Sequence, residues 1–119
     1  MAGLPLAVLV GHETSSGAEF LTASLQEGRH ARVIGARTFG KWSVQLLNDL
    51  PNGYAYKFTT SLFFTPSGKT FDGVGITPDV EVELPNEQLG KTYAITDGEK
   101  RLAADPQLRT AVSILAARP

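Results

Sequence analysis

The sequence predicts an α/β fold: a strand–helix–strand unit, a β-hairpin region after it, and a closing helix. Three observations carry that prediction. Pro5–Val10 is a continuous apolar run, as expected of a strand buried on both faces. A helical period comes next, with Ala18, Leu21 and Leu25 on one face. Ala31–Ile34 then reads as a second short strand, and strand, helix and strand in that succession imply a parallel pair joined by a right-handed crossover.

The boundaries have local causes. Thr14, Ser15 and Ser16 can cap a helix, and Ser16 with Glu19 three residues on fits a capping box. Gly28 is predicted to stop that helix, and Gly35 to end the second strand. After Gly40 the pattern changes. Ser43–Leu47 is strand-like, and Pro51-Asn52-Gly53 is a turn signal. Tyr54, Tyr56, Phe58, Thr60 and Leu62 alternate with smaller or polar residues, which predicts a half-buried strand. Pro66-Ser67-Gly68 makes another turn, and residues 69–78, with Gly73, Gly75 and Pro78, read as a loop. Val80, Val82 and Leu84 alternate as one more strand, and residues 85–97 read as a polar connection. Asp105-Pro106 is an N-cap followed by proline at the first helical position. Leu108, Ala111, Val112 and Leu115 are the expected inner face of the closing helix.

The 119 residues suffice for one domain with one core. With 11 basic and 12 acidic residues the formal charge is −1, which gives no electrostatic reason to expect nucleic acid or an anionic membrane as partner. The absence of cysteine excludes thiol catalysis, disulfides and cysteine-ligated zinc. His12 and His30 are the only histidines, which argues against a His-rich metal site. The apolar stretch Leu4–Val10 is too short to span a bilayer, and it lacks the basic lead-in and cleavage site of a signal peptide.

Four segments bear on chemistry. Gly35–Lys41 has the glycine and lysine spacing of a phosphate-binding loop. However, Trp42 stands where magnesium needs Ser or Thr, and residues 43–47 read as strand rather than helix, which argues against a nucleotide-binding domain. A Ser-His-Asp triad would have to recruit His12 or His30, and no G-x-S-x-G elbow accompanies either. Ser16 comes after a buried strand and opens a helix, where a hydroxyl faces the sheet edge at which open α/β folds bind ligands. There the Gly17 amide and the helix dipole can stabilise a negative oxygen, although a plain N-cap to Glu19 explains the same serine. Lys41 lies in a glycine-flanked turn between Phe39 and Trp42. It is either an exposed loop lysine or, if apolar surroundings neutralise it, a general base. Gln45 shares a face with position 41 in an extended segment, within range to orient the amine.

Taken in order, these blocks resemble the carboxyl-terminal (tail-specific) processing peptidases. That family has a strand ending V-L-V-N, a Ser/Ala-rich segment with the nucleophile and a glutamate on the helix. Here the stretch runs from Val8-Leu9-Val10-Gly11 through Ser15-Ser16-Gly17-Ala18-Glu19. The family's G-x-x-T-F-G-K-G-x-x-Q block is matched from Gly35 through Thr38-Phe39-Gly40-Lys41 to Gln45. Its Tyr-Thr-Pro-Ser-Gly and G-I-x-P-D-V strings are matched by Phe64-Thr65-Pro66-Ser67-Gly68 and by Gly75-Ile76-Thr77-Pro78-Asp79-Val80. The resemblance covers residues 4–84 well and 105–116 loosely.

The resemblance implies a serine endopeptidase acting near protein C-termini through a Ser/Lys dyad, a mechanism that needs no metal or cofactor. Ser16 would be the nucleophile, Lys41 the base, Gln45 the residue that orients the lysine, and Gly17 one oxyanion donor. It implies a part of an α/β catalytic domain with the β-spiral of the crotonases and the Clp protease subunit. A PDZ domain and the upstream catalytic half, with the second oxyanion donor, are expected outside residues 1–119, so the chain alone is expected to have little activity. The partners implied are C-terminal regions of protein substrates, and the location implied is the bacterial periplasm or envelope. Open strand edges around Val8 and Val33 lead to the expectation of a homodimer or strand-exchanged oligomer. Four positions depart from the family pattern: Gly11 for asparagine, Glu13 for glycine, Gly17-Ala18 for Ala-Ser, and Trp42 for glycine. An indole at position 42 is expected to fill part of the substrate groove or to desolvate Lys41. The departures sustain a second reading, a non-catalytic peptide-binding or structural module with a degenerate peptidase fold.

Overall fold

A computed structural model of the chain describes residues 4–117. The apolar run forms strand β1 (Ala7–Val10), helix α1 (Gly17–Arg29) comes next, and β2 (Arg32–Gly35) pairs with β1 in parallel with Val8 opposite Val33. β3 (Ser43–Asp49) and β4 (Ala55–Leu62) make an antiparallel ribbon, joined through the predicted Pro51-Asn52-Gly53 turn. β5 (Val80–Glu81) adds to β2 in parallel, giving the order β1-β2-β5. Three helices finish the chain: α2 (Asn86–Tyr93), α3 (Gly98–Ala104) and α4 (Pro106–Ala116).

The βαβ unit is therefore present, and β2, not an edge, is its central strand. β1, which carries Val8, is an edge strand as expected, whereas Val33 lies fully buried on the central strand and the other edge is β5. α1 runs past Gly28 and ends at His30, whose left-handed backbone (φ 50°) is the helix stop. Its buried residues are Glu19, Thr22 and Ala23, not the Ala18/Leu21/Leu25 stripe, and Leu21 is exposed. The face is rotated because Glu19 is drawn inward by donors on another loop. The core beneath α1 gathers Ala23, Trp42 and Ile76 with Phe71 against them.

The closing helix starts as its sequence dictates, with the Asp105 carboxylate accepting Leu108 N–H at 3.0 Å and Pro106 at the first position. It buries Gln107 and Ala111 and leaves Val112 exposed, because the Gln107 amide donates to the Val82 carbonyl at 2.8 Å. Residues 85–97, read as connection, contain α2, and α3 begins at once after them. β4 departs most from expectation. Its alternation predicts a half-buried strand, but all eight of its residues are exposed, since among the described residues nothing packs on either face.

Candidate active site

Ser16 sits at the turn from β1 to α1 with φ 53° and ψ −122°. Ala18 N–H donates to the Ser15 carbonyl at 3.2 Å, closing Ser15–Ala18 as a type II′ turn with Ser16 at its first central position. Glycine is the usual residue there. A serine in this region costs about 1–3 kcal/mol and persists only where its surroundings over-determine it. Ser16 and Glu19 form the capping box that the sequence predicts, with Ser16 N–H donating to the Glu19 carboxylate at 3.0 Å, and Glu19 N–H also lies 2.9 Å from the Ser16 carbonyl. Gly17 N–H, at the first helical position, has no protein acceptor among the described residues.

Glu19 organises the surroundings of the serine. It is 0% exposed, and its carboxylate accepts four hydrogen bonds. One oxygen takes the Thr38 hydroxyl and Gly40 N–H at 2.7 Å. The other takes Ser16 N–H at 3.0 Å and Lys41 N–H at 2.8 Å. The amides of Ser16 and Lys41 therefore meet at a single oxygen and are no farther apart than those two bonds allow. Phe39 N–H adds a direct tie to the Thr14 carbonyl at 2.9 Å. A buried carboxylate needs such a set, because each lost partner leaves charge uncompensated in the interior.

The loop bearing Lys41 is clamped from its other side by residues 72–76. Gly73 N–H donates to the Gly40 carbonyl at 2.8 Å, Trp42 N–H to the Asp72 carboxylate at 2.9 Å, and Ile76 N–H to the Thr38 hydroxyl at 2.7 Å. The two backbones touch: a Cβ on Gly75 would lie 2.1 Å from the Thr38 carbonyl oxygen, and one on Gly40 2.6 Å from Gly75 N.

Lys41 itself is exposed. Among the described residues no hydrogen bond joins its amine to the Ser16 hydroxyl or to Gln45. The Gln45 amide donates instead to the Thr59 hydroxyl at 2.7 Å across the ribbon, with a weaker contact to Ser43 at 3.5 Å. Trp42 alternates with Lys41 in the extended segment and turns the other way. It is 1% exposed, with its ring 5.1 Å from Phe71 and 6.0 Å from Phe20. The indole therefore neither fills an open groove nor covers Lys41; it fills the core under α1. The segment after Lys41 is strand, so the phosphate-loop spacing lacks the helix it would need. His12 lies outside the arrangement, on the surface, 3.3 Å from Glu83.

A cavity of about 220 Å³ opens beside the turn, between the ends of β1 and β2 and helix α2. Leu9, Val10, Ala36, Leu84 and Leu89 supply its apolar lining.

A parallel strand–turn–helix that holds a strained serine beside a clamped lysine loop is a frame of the kind serine hydrolases use. The comparisons with known proteins are more specific. Residues 2–82 match the model of peptidase family S41, and the chain belongs to that family. It is 42% identical over 98 residues to a carboxy-terminal-processing protease of Bartonella bacilliformis, covering 82% of this chain and 23% of that protein. It is 31% identical over 105 residues to a protein of Staphylococcus aureus named as a probable CtpA-like serine protease, covering 83% and 21%. Among solved structures, a photosystem II D1 C-terminal processing protease superposes with a TM-score of 0.61 at 35% identity, over 66% of this chain and 20% of that one. A Bacteroides fragilis protein described as an S41 protease reaches 0.69 at 18% identity over 95% and 28%, a likeness of fold alone. The chain thus spans about a quarter or less of the curated relatives it matches.

Proposed function

We propose that this chain carries the nucleophile-and-base portion of a carboxyl-terminal processing serine peptidase, with Ser16 as nucleophile and Lys41 as general base. The observation that carries the reading is the shared Glu19 oxygen, which ties the Ser16 and Lys41 amides together. In the proposed reaction the neutral Lys41 amine takes the Ser16 hydroxyl proton as the oxygen attacks a peptide carbonyl. The Gly17 N–H stabilises the resulting oxyanion, Lys41 protonates the leaving amine, and water releases the acyl group. The cavity beside the turn would hold an apolar substrate side chain.

A lysine works as a base only where apolar surroundings disfavour its ammonium form. Lys41 is exposed here, so on this reading its cover, and the second oxyanion donor, come from the rest of the peptidase domain. The chain alone is accordingly proposed to turn over little or no substrate. Gln45 is proposed to reach the amine with its carbonyl end, its amide end being held by Thr59. Cleavage near protein C-termini and an exported, bacterial setting are suggested by the relatives and belong to the same proposal. No helix of the described residues is long and apolar enough to cross a membrane.

The test is proteolysis by the chain within its complete peptidase domain. Lys41→Ala should abolish cleavage with the fold intact, and the wild-type rate should rise from mildly acidic to alkaline pH. Normal cleavage by Lys41→Ala would remove the lysine from the mechanism and favour another base.

A further inference from the structure

Gln45 and Thr59 lie opposite each other on the β3–β4 ribbon, and the Gln45 amide nitrogen donates to the Thr59 hydroxyl at 2.7 Å. That pairing follows an irregularity in the ladder. Val44 is opposite Ser61 and Gln45 opposite Thr59, so Thr60 is an extra residue on β4. Two residues against one is the count of a β-bulge, a device that re-aims side chains. Phe63 N–H donates to the Trp42 carbonyl at 2.7 Å, which carries the pairing one residue past Ser43 toward Lys41. Positions 41, 43 and 45 of this extended segment therefore share a face. The Ser43 hydroxyl lies 3.5 Å from the same Gln45 nitrogen. That nitrogen thus has two hydroxyl oxygens around it, while the Gln45 carbonyl oxygen has no donor among the described residues. Glu19 fixes the main chain of Lys41 but not its amine.

We propose that Thr59 is a positioning residue, whose hydroxyl anchors the nitrogen end of the Gln45 amide and so presents its carbonyl end to the Lys41 amine. The inference rests on Lys41 being the base of the proposed reaction. An amide has one accepting end and one donating end, and only the first helps such a base. The carbonyl accepts an amine N–H and leaves the nitrogen lone pair for the Ser16 proton. The NH₂ end would donate to that lone pair and block it. Tying the nitrogen to Thr59 decides which end is free. It also removes, before the amine is engaged, rotamer freedom that the half-buried Gln45 would otherwise lose at that moment.

The experiment is the rate of fluorophosphonate labelling at Ser16 against pH, in the complete peptidase domain. Thr59→Val removes the hydroxyl and keeps the branched shape. It is expected to lower the plateau rate about fivefold, the factor that one neutral hydrogen bond carries. Because the carbonyl that favours the ammonium form is no longer held beside it, the rise in rate should also move to lower pH. Thr59→Ser keeps the hydroxyl and should restore both rate and profile. In a Gln45→Leu background there is no amide to anchor, so Thr59→Val should change nothing further. Thr59 is exposed, and Trp42 fluorescence in urea should not distinguish its variants from wild type. A wild-type profile for Thr59→Val, a Thr59→Ser as slow as the valine variant, or an equal loss in the Gln45→Leu background overturns the proposal and assigns Thr59 to the ribbon alone. Lys41→Ala separates that failure from failure of the catalytic reading. Labelling at the wild-type rate there removes the base and this inference with it, whereas lost labelling beside an unaffected Thr59→Val removes only the role of Thr59.

Discussion

Replacing Glu19 by glutamine probes the joint between the two halves of the candidate site at nearly constant shape. The carboxylate accepts from Ser16, Gly40 and Lys41 N–H and from the Thr38 hydroxyl, two donors to each oxygen. An amide offers one accepting oxygen, so its NH₂ end must face two donors. The Thr38 hydroxyl already accepts Ile76 N–H at 2.7 Å, which ties its orientation to the same network. Two hydrogen bonds to a charged group are lost, each worth about 1.5–3 kcal/mol. The expected destabilisation is about 3–6 kcal/mol, against the ~5–15 kcal/mol that holds a domain of this size. Trp42, the only tryptophan, lies in the core beside Phe20, so its fluorescence reports unfolding in urea directly. The midpoint should fall with the slope unchanged. A loss below about 1 kcal/mol would refute the reasoning, because the two displaced donors would then have found other acceptors.

Other outcomes rest on the same geometry. At position 16, glycine should be more stable than alanine by about 1 kcal/mol in urea, since only glycine accepts φ 53°, ψ −122° without strain; equal stability would remove the strained turn. Gly75→Ala should cost about 3 kcal/mol or more, its Cβ meeting the Thr38 carbonyl at 2.1 Å. Gly68→Ala, also at positive φ but facing open space, should cost about 1 kcal/mol by the same unfolding assay. The Ser67 hydroxyl, 2.8 Å from Glu27, holds that carboxyl below its usual value. A depressed carboxyl stabilises the fold above its unfolded value, and the contribution is lost as pH falls through the lowered one. Ser67→Ala should therefore move the Glu27 titration upward by NMR; an unmoved titration would assign the shift elsewhere.

Much of the frame is legible in the sequence because its causes are local. The apolar run, the cap and the second strand specify the βαβ unit, and Asp105-Pro106 starts α4 where the caps require. The illegible parts depend on distant partners. Glu19 looks like a capping residue in sequence, yet three of its four donors come from residues 38–41, which rotates α1 and leaves Leu21 outside. Gln107 displaces Val112 from the buried face for a similar reason, a single bond to Val82. The alternation in β4 states that one face is apolar, but not that anything covers it. α2 is short and polar and carries a glycine, Gly90, so residues 85–97 read as connection. The positive φ at Ser16 leaves no trace in the sequence, where a serine ahead of Glu19 reads as an ordinary helix cap.

The most direct test of the central claim is the rate at which a fluorophosphonate acquires the Ser16 oxygen, measured against pH for wild type and Lys41→Ala within the complete peptidase domain, with Trp42 fluorescence confirming that both are folded. A wild-type rate that climbs with pH and collapses in Lys41→Ala is the predicted result. Equal rates in the two proteins, or labelling at a serine other than Ser16, would contradict the account.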